Sequence, residues 1–266
     1  MIKISELVNI AKQNGYNEAN AEAKVCQDII LSLISRSNFG ENITVKGGVV
    51  MRSISNDARR ATQDIDLDFI RYSLGDDSIR AFVERLNSVD EVSITITGPI
   101  EELKQQDYHG KRINIEISDK DQTTLKTKID LGVHKQLDIV QDEFCFDVGM
   151  DDEGVCLLIN SKEQMLTEKL RSILKFGAFS TRYKDVFDIC YLSDLIDPPR
   201  LKHCFKYYIY DDSGMRENDI NDIVKRVERT FKDKTYLSNL KKSKKNWLDQ
   251  EISAVLTKIL EFLKCL

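Results

Sequence analysis

Three carboxylates alternate in "TQDIDLDFI": Asp64, Asp66 and Asp68. Two adjacent glycines, Gly47 and Gly48, stand upstream in "ITVKGGVVMR". Successive side chains of a strand point to opposite faces, so the three aspartates share one face and Ile65, Leu67 and Phe69 the other. Carboxylates held that close repel one another unless a cation lies among them. Oxygen-only ligands select Mg²⁺ or Mn²⁺ over zinc. The glycine pair closes a strand-like run and opens a helix-like one. Glycine admits a close approach of backbone to ligand, and the N–H groups at a helix start suit a phosphate. A phosphate cradle beside paired carboxylates equips a chain for metal-assisted phosphoryl chemistry. A third carboxylate is expected from another strand. Asp130 in "LKTKIDLGV" fits, because Ile129 and Leu131 point away from it, and Glu116 in "RINIEIS" is the second choice.

Other chemistries fail on spacing. An EF-hand loop starting at Asp64 needs glycine at 69 and glutamate at 75, where the chain has Phe69 and Gly75. Neither GxxxxGK[ST] nor GxGxxG occurs. The plain alternative is an edge strand with a solvated acidic face, which would bind no metal.

The elements that must position these residues follow from periodicity. A helix is expected over 19–36, a strand in "NITVKGG", a helix in "VVMRSIS" and a half-buried strand in "DIDLDFI". "DSIRAFVERLNS" reads as a helix capped by Asp77 or Ser78. "VSITITG", "RINIEIS", "LKTKIDLGV", "EFCFDV" and "VCLLIN" read as strands. After Asn160 the texture becomes helical. Ser161 caps "KEQMLTEKLRSILKF", which Gly177 stops, and "RYKDVFDICYLSDLID" is a helix halted by Pro198 and Pro199. The expectation is an α+β chain: a mixed-sheet part over 1–160 and a helical part over 161–266.

Composition bounds the partners. The 266 residues are 41% hydrophobic and 31% charged, a globular balance. No apolar run approaches the roughly 20 residues of a membrane span, and the N-terminus lacks the apolar core of a secretory leader. The six cysteines form no CxxC pair, and most sit in apolar runs such as "FCFDV" and "VCLLI". They are expected to be free thiols in a reducing cytoplasm. His109, His134 and His203 are too scattered for a zinc site. Net charge is −5, yet residues 225–245 hold nine Lys/Arg against Glu228 and Asp233. That stretch is either a solvated helical surface or, with Tyr236 and Trp247, a nucleic-acid contact.

These motifs resemble the nucleotidyltransferase superfamily that includes DNA polymerase β, and more narrowly the AbiEii/AbiGii toxin family. The first family motif is close to K-G-G…R-x-T-x-D-I-D, matched by Lys46, Gly47, Gly48, Arg60, Thr62, Asp64 and Asp66. "KIDLGV" carries Asp130. The last resembles E-K-L…R-x-K-D-x-x-D-[IL]-x-x-L, matched by Glu168, Lys169, Leu170, Arg182, Lys184, Asp185, Asp188, Ile189 and Leu192. The interval from Gly48 to Asp64 is longer than usual in the wider superfamily, and no family motif follows residue 192.

The resemblance implies metal-dependent transfer of a nucleoside monophosphate from a nucleoside triphosphate. Asp64, Asp66 and Asp130 would hold Mg²⁺ or Mn²⁺. Lys46, Gly47, Gly48, Thr62, Lys169 and Arg182 would bind the nucleotide. Asp185 or Asp188, three apart and so on one helical face, would complete the pocket, which the helical part would close. It also implies the toxin half of a bacterial toxin–antitoxin or phage-defence pair, with a separate antitoxin protein and the 3′ end of tRNA as acceptor. A protein hydroxyl is the alternative acceptor. A nucleotide-binding or partner-binding module without turnover is the non-enzymatic alternative, against which stands the complete carboxylate set.

Overall fold

The computed structural model describes residues 3–87, 92–103 and 110–266; His109 lies outside them. The chain divides into two compact units, Met1–Asn160 and Ser161–Leu266. The first is α+β and the second is helical.

In the first unit, α1 (Ile4–Gln13) and α2 (Glu18–Arg36) precede the sheet. The Asn17 side chain caps α2 by accepting from the Asn20 N–H. Then come β1 (Ile43–Lys46), α3 (Gly47–Ser55), β2 (Ile65–Phe69), α4 (Asp76–Asn87), β3 (Ser93–Ile96), β4 (Glu101–Leu103), β5 (Gly110–Ser118), β6 (Thr124–Val133), β7 (Asp142–Val148) and β8 (Asp151–Ile159). The strands form one mixed sheet in the order β3-β5-β6-β2-β1-β8-β7, with β4 paired to β5. Strand β2 runs parallel to β6 and antiparallel to β1. It is therefore central, which removes the edge-strand reading of "DIDLD".

Alternation does the positioning. Ile65, Leu67, Phe69, Ile129 and Leu131 are all fully buried. The rings of Phe69 and Phe82 meet edge to face at 5.4 Å, tying β2 to α4. Each such side chain contributes about 1.5–3 kcal/mol by leaving water. A one-residue slip of β2 would exchange them for Asp66 and Asp68, so register is strongly specified.

Several local expectations are corrected. Helix α4 starts at Asp76, placing Asp77 and Ser78 inside its first turn, and the Gly75 carbonyl accepts the first helical bond. Helix α1, with Ile4, Leu7, Val8 and Ala11 at helical spacing, and the three-residue strand β4 stand outside the elements expected. Cys145 and Cys156 are not free thiols but a disulfide. They are opposed Cα partners on β7 and β8, a pairing that cysteine spacing alone does not reveal.

The second unit comprises α5 (Lys162–Phe176), α6 (Tyr183–Leu192), α7 (Pro198–Phe205), α8 (Ile220–Lys232), α9 (Lys234–Lys242) and α10 (Ile252–Lys264). Ser161 caps α5 by accepting from the Gln164 N–H at 3.1 Å. Gly177, at φ +53°, follows its last turn. Pro198 and Pro199 do not halt the preceding helix, which ends at Leu192. They open α7 behind an Asp197 cap, because proline's fixed φ and missing N–H suit a first turn.

Candidate active site

Five strands bring five charged residues into one row. Glu101 on β4 is the Cα partner of Arg112 on β5, and Arg112 is the partner of Asp130 on β6. Asp130 opposes Asp66 on β2, and Asp66 opposes Lys46 on β1. Opposed residues of neighbouring strands share a face, so the charges run minus, plus, minus, minus, plus across the sheet. Neighbouring strands are about 4.8 Å apart, so Asp66 and Asp130 stand side by side.

The row is held by specific contacts. Arg112 grips Asp130 with two parallel hydrogen bonds, Nε to Oδ1 at 2.6 Å and Nη2 to Oδ2 at 2.8 Å. These bonds raise the Arg112 pKa further above its ordinary range, so the guanidinium stays charged. Asp64, just before β2, faces Lys128, with Nζ 3.6 Å from Oδ1. Lys46 and Asp68 form a buried ion pair at 2.6 Å. Glu116 pairs with Lys126 at 3.5 Å, four residues along β5 from Arg112, and stands outside the row.

The glycine turn meets this row from the side. Gly47 has φ +68°, the left-handed region, and a Cβ there would collide with Asp66 Oδ2 and stand 3.0 Å from its Cγ. The Asp66 carboxylate therefore lies against the N-terminus of α3. A Cβ on Gly48 would come within 2.5 Å of Thr62 Oγ1. Both glycines exist for close approach, one to a carboxylate and one to the loop that leads into it. That loop is also held from behind. The fully buried Gln27 on α2 donates to the Thr62 carbonyl at 2.9 Å and accepts from Arg52 Nη1 at 2.6 Å.

The donor set suits a hard divalent cation, since Asp64, Asp66 and Asp130 offer only oxygen. Among the described residues, however, no group of three or more His, Cys, Asp or Glu side chains closes around one point. The three-carboxylate ligand set expected from the sequence is not assembled as such: Lys128 faces one member and Arg112 grips another. Carboxylates this close need counter-charge, and these two cations supply it. A divalent ion held by Asp64, Asp66 and Asp130 would take over that role, so the residues fit the metal once those side chains yield.

The second unit carries a separate charged cluster. Lys169 on α5 lies 2.8 Å from Asp188 Oδ2 and 3.4 Å from Asp185 Oδ1, both on α6. Arg182 reaches Asp185 Oδ2 at 2.6 Å while its own side chain is 63% exposed. The other oxygen of Asp188 accepts from Trp247 Nε1 at 3.0 Å. Lys169, Asp185 and Asp188 are all buried. A buried charge is tolerated only when paired and hydrogen-bonded, and here each is.

Trp247 is 4% exposed and Tyr236 fully buried, so neither is a stacking platform for RNA. Both carry large apolar surfaces that the helices take into their core. The basic stretch forms α8, α9 and the residues after them, with Lys225, Arg229, Lys232, Lys234, Lys241, Lys242, Lys244 and Lys245 exposed. Arg226 instead turns inward and donates to the Leu174 carbonyl at 3.0 Å. The sequence reading missed Arg112, Lys128 and Gln27. Period-two alternation places Arg112 and Lys128 on the polar faces of their strands, but strand order alone names their partners.

The family model described as "Nucleotidyl transferase AbiEii toxin, Type IV TA system" matches residues 29–257. Among solved structures, the chain is similar to an antigenic nucleotidyltransferase-like protein from Paracoccidioides brasiliensis. The TM-score is 0.46 at 16% identity, covering 89% of this chain and 93% of that one. No curated protein matches the sequence.

Proposed function

Because the chain belongs to the AbiEii nucleotidyl transferase toxin family of type IV toxin–antitoxin systems, we propose that it transfers a nucleoside monophosphate from a nucleoside triphosphate to an acceptor hydroxyl. The observation that carries this reading is the in-register pair Asp66–Asp130 beside the Gly47 turn. Asp64, Asp66 and Asp130 would hold Mg²⁺ or Mn²⁺, which when bound would polarise the phosphoryl oxygens and lower the pKa of the acceptor hydroxyl. In the alternative, Asp130 would accept the hydroxyl proton instead of holding the metal, a role that needs hydrogen-bond reach of the acceptor oxygen. Gly47 and Gly48, at the start of α3, offer backbone N–H groups to the phosphates. Thr62 packs on Gly48 and fixes the loop that leads to Asp64. Lys46 stabilises Asp68 and so the strand that presents Asp66. In the second unit, Lys169 holds Asp185 and Asp188 in place, and the exposed Arg182 is the cation accessible to a phosphate.

The acceptor proposed is RNA, the 3′ end of a tRNA. The eight exposed Lys/Arg between 225 and 245 support it, since phosphate neutralisation dominates RNA affinity. Nucleoside triphosphates and tRNA are cytoplasmic substrates, so the activity proposed is cytoplasmic. A cognate antitoxin protein and a role in phage defence complete the reading.

The test incubates wild-type protein and Asp66→Asn with Mg²⁺, each labelled nucleoside triphosphate in turn, and total tRNA. Label in RNA with wild type alone is expected. Label on protein would move the acceptor to a polypeptide, and equal labelling by Asp66→Asn would remove the aspartate row from the chemistry.

A further inference from the structure

The guanidinium of Arg112 occupies both oxygens of the carboxylate that the proposed chemistry needs open. We propose that Arg112 is a positioning residue that competes with the divalent cation for Asp130 and so sets how readily the site loads metal. The inference rests on the nucleotidyl-transfer reading above and deepens it.

Three observations carry it. The grip is complete: two parallel bonds at 2.6 and 2.8 Å use Oδ1 and Oδ2 of Asp130, whose side chain is 8% exposed. A cation bound to those oxygens must displace at least one of the bonds. Arg112 can leave, because its side chain is 28% exposed and so borders solvent. It also has a second carboxylate to turn to. Glu101 on β4 is its Cα partner on the side away from Asp130, and its charge acts on the guanidinium. Arg112 thus stands between two acids on one face, Asp130 on the metal side and Glu101 on the far side. Its planar fork matches a carboxylate in a way that a lysine ammonium does not.

The neighbourhood adds a reason for such a device. Asp64, Asp66, Asp68 and Asp130 gather on one face of adjacent strands, and Lys128, Lys46 and Arg112 are the cations facing them. With Arg112 on Asp130 the row is nearly balanced in charge. A divalent ion at Asp66 and Asp130 makes the nearby guanidinium a like charge, which favours its departure.

The experiment titrates Mn²⁺ alone, read by electron paramagnetic resonance at low salt, into wild type, Arg112→Gln, Asp130→Asn and the double variant. Removing the competitor is expected to tighten Mn²⁺ binding about tenfold in Arg112→Gln. That gain should vanish in the Asp130→Asn background, because the competition is for that carboxylate. Arg112→Lys keeps the charge but engages Asp130 at a single point, so its Mn²⁺ affinity should fall between the two. This variant decides the matter if Arg112→Gln does not fold. Wild-type affinity or weaker in Arg112→Gln overturns the assignment, as does a gain that survives in the double variant. Mn²⁺ binding by none of the proteins overturns both the assignment and the metal-dependent reading, a result distinguishable from loss of the Arg112 effect alone.

Discussion

Gly47 is the residue on which the site geometry turns. Its φ of +68° is open to glycine and strained for other residues, and the space where a Cβ would stand belongs to Asp66. Gly47→Ala is expected to cost about 1–2 kcal/mol of stability from the left-handed backbone and to push the Asp66 carboxylate aside. Nucleotide transfer should fall by far more than that stability loss accounts for, which parallel melting curves and transfer assays would show. Unchanged transfer would mean that Asp66 does not work from the position it holds against the turn. "KGG" and "DID" were legible as chemistry because residue type and period-two alternation are local properties. Arg112 was not, because its role exists only through its β6 neighbour.

At the scale of elements, α5 and α6 are joined by Lys169 lying between Asp185 and Asp188. Lys169→Met would leave buried carboxylates without their cation, and breaking a buried pair from one side costs about 3–5 kcal/mol. A large fall in Tm is the expected outcome; a small one would mark Lys169 as dispensable to the fold. Trp247→Phe keeps an aromatic ring, though a smaller one, but removes the donor to Asp188 Oδ1. It should cost about 1–3 kcal/mol without changing retention on RNA, since the indole is buried. RNA affinity lost with stability intact would return Trp247 to the nucleic-acid surface. The sequence located α5 through its serine cap and terminal glycine, both local signals. It misjudged Pro198 and Pro199, because a proline pair marks a helix boundary without saying on which side the helix lies.

Across the whole molecule, thiol reactivity tests the packing. Burial pushes the thiols of Cys26 and Cys204 up to about 12, and that of Cys190 upward as well. At pH 8 these groups stay protonated, and the thiolate is the nucleophile. Cys265 is exposed, and Cys145 and Cys156 are bonded to each other. A chromogenic thiol reagent at pH 8 should therefore count one fast thiol in the native protein, and three after mild reduction of the exposed disulfide. More than one before reduction would contradict the disulfide or the burial of the other three. Charge is also distributed rather than uniform: a chain of net −5 carries eight exposed basic residues between 225 and 245. Raised salt should weaken binding to tRNA steeply if these residues hold its phosphates.

The sequence by itself determined the chemistry available: the aspartates, the glycine turn, the alternation that puts acids on one face and Ile65, Leu67 and Phe69 on the other, and the family those motifs resemble. These are properties of neighbouring residues, fixed by strand and helix periods. Tertiary structure alone decided the order β5-β6-β2-β1. That order sets Arg112 against Asp130 and Asp130 against Asp66, residues far apart in the chain, and it made Lys46 the partner of Asp68. Alternation fixes which face each strand buries and so constrains its register, but which strands become neighbours is decided only when those faces pack together.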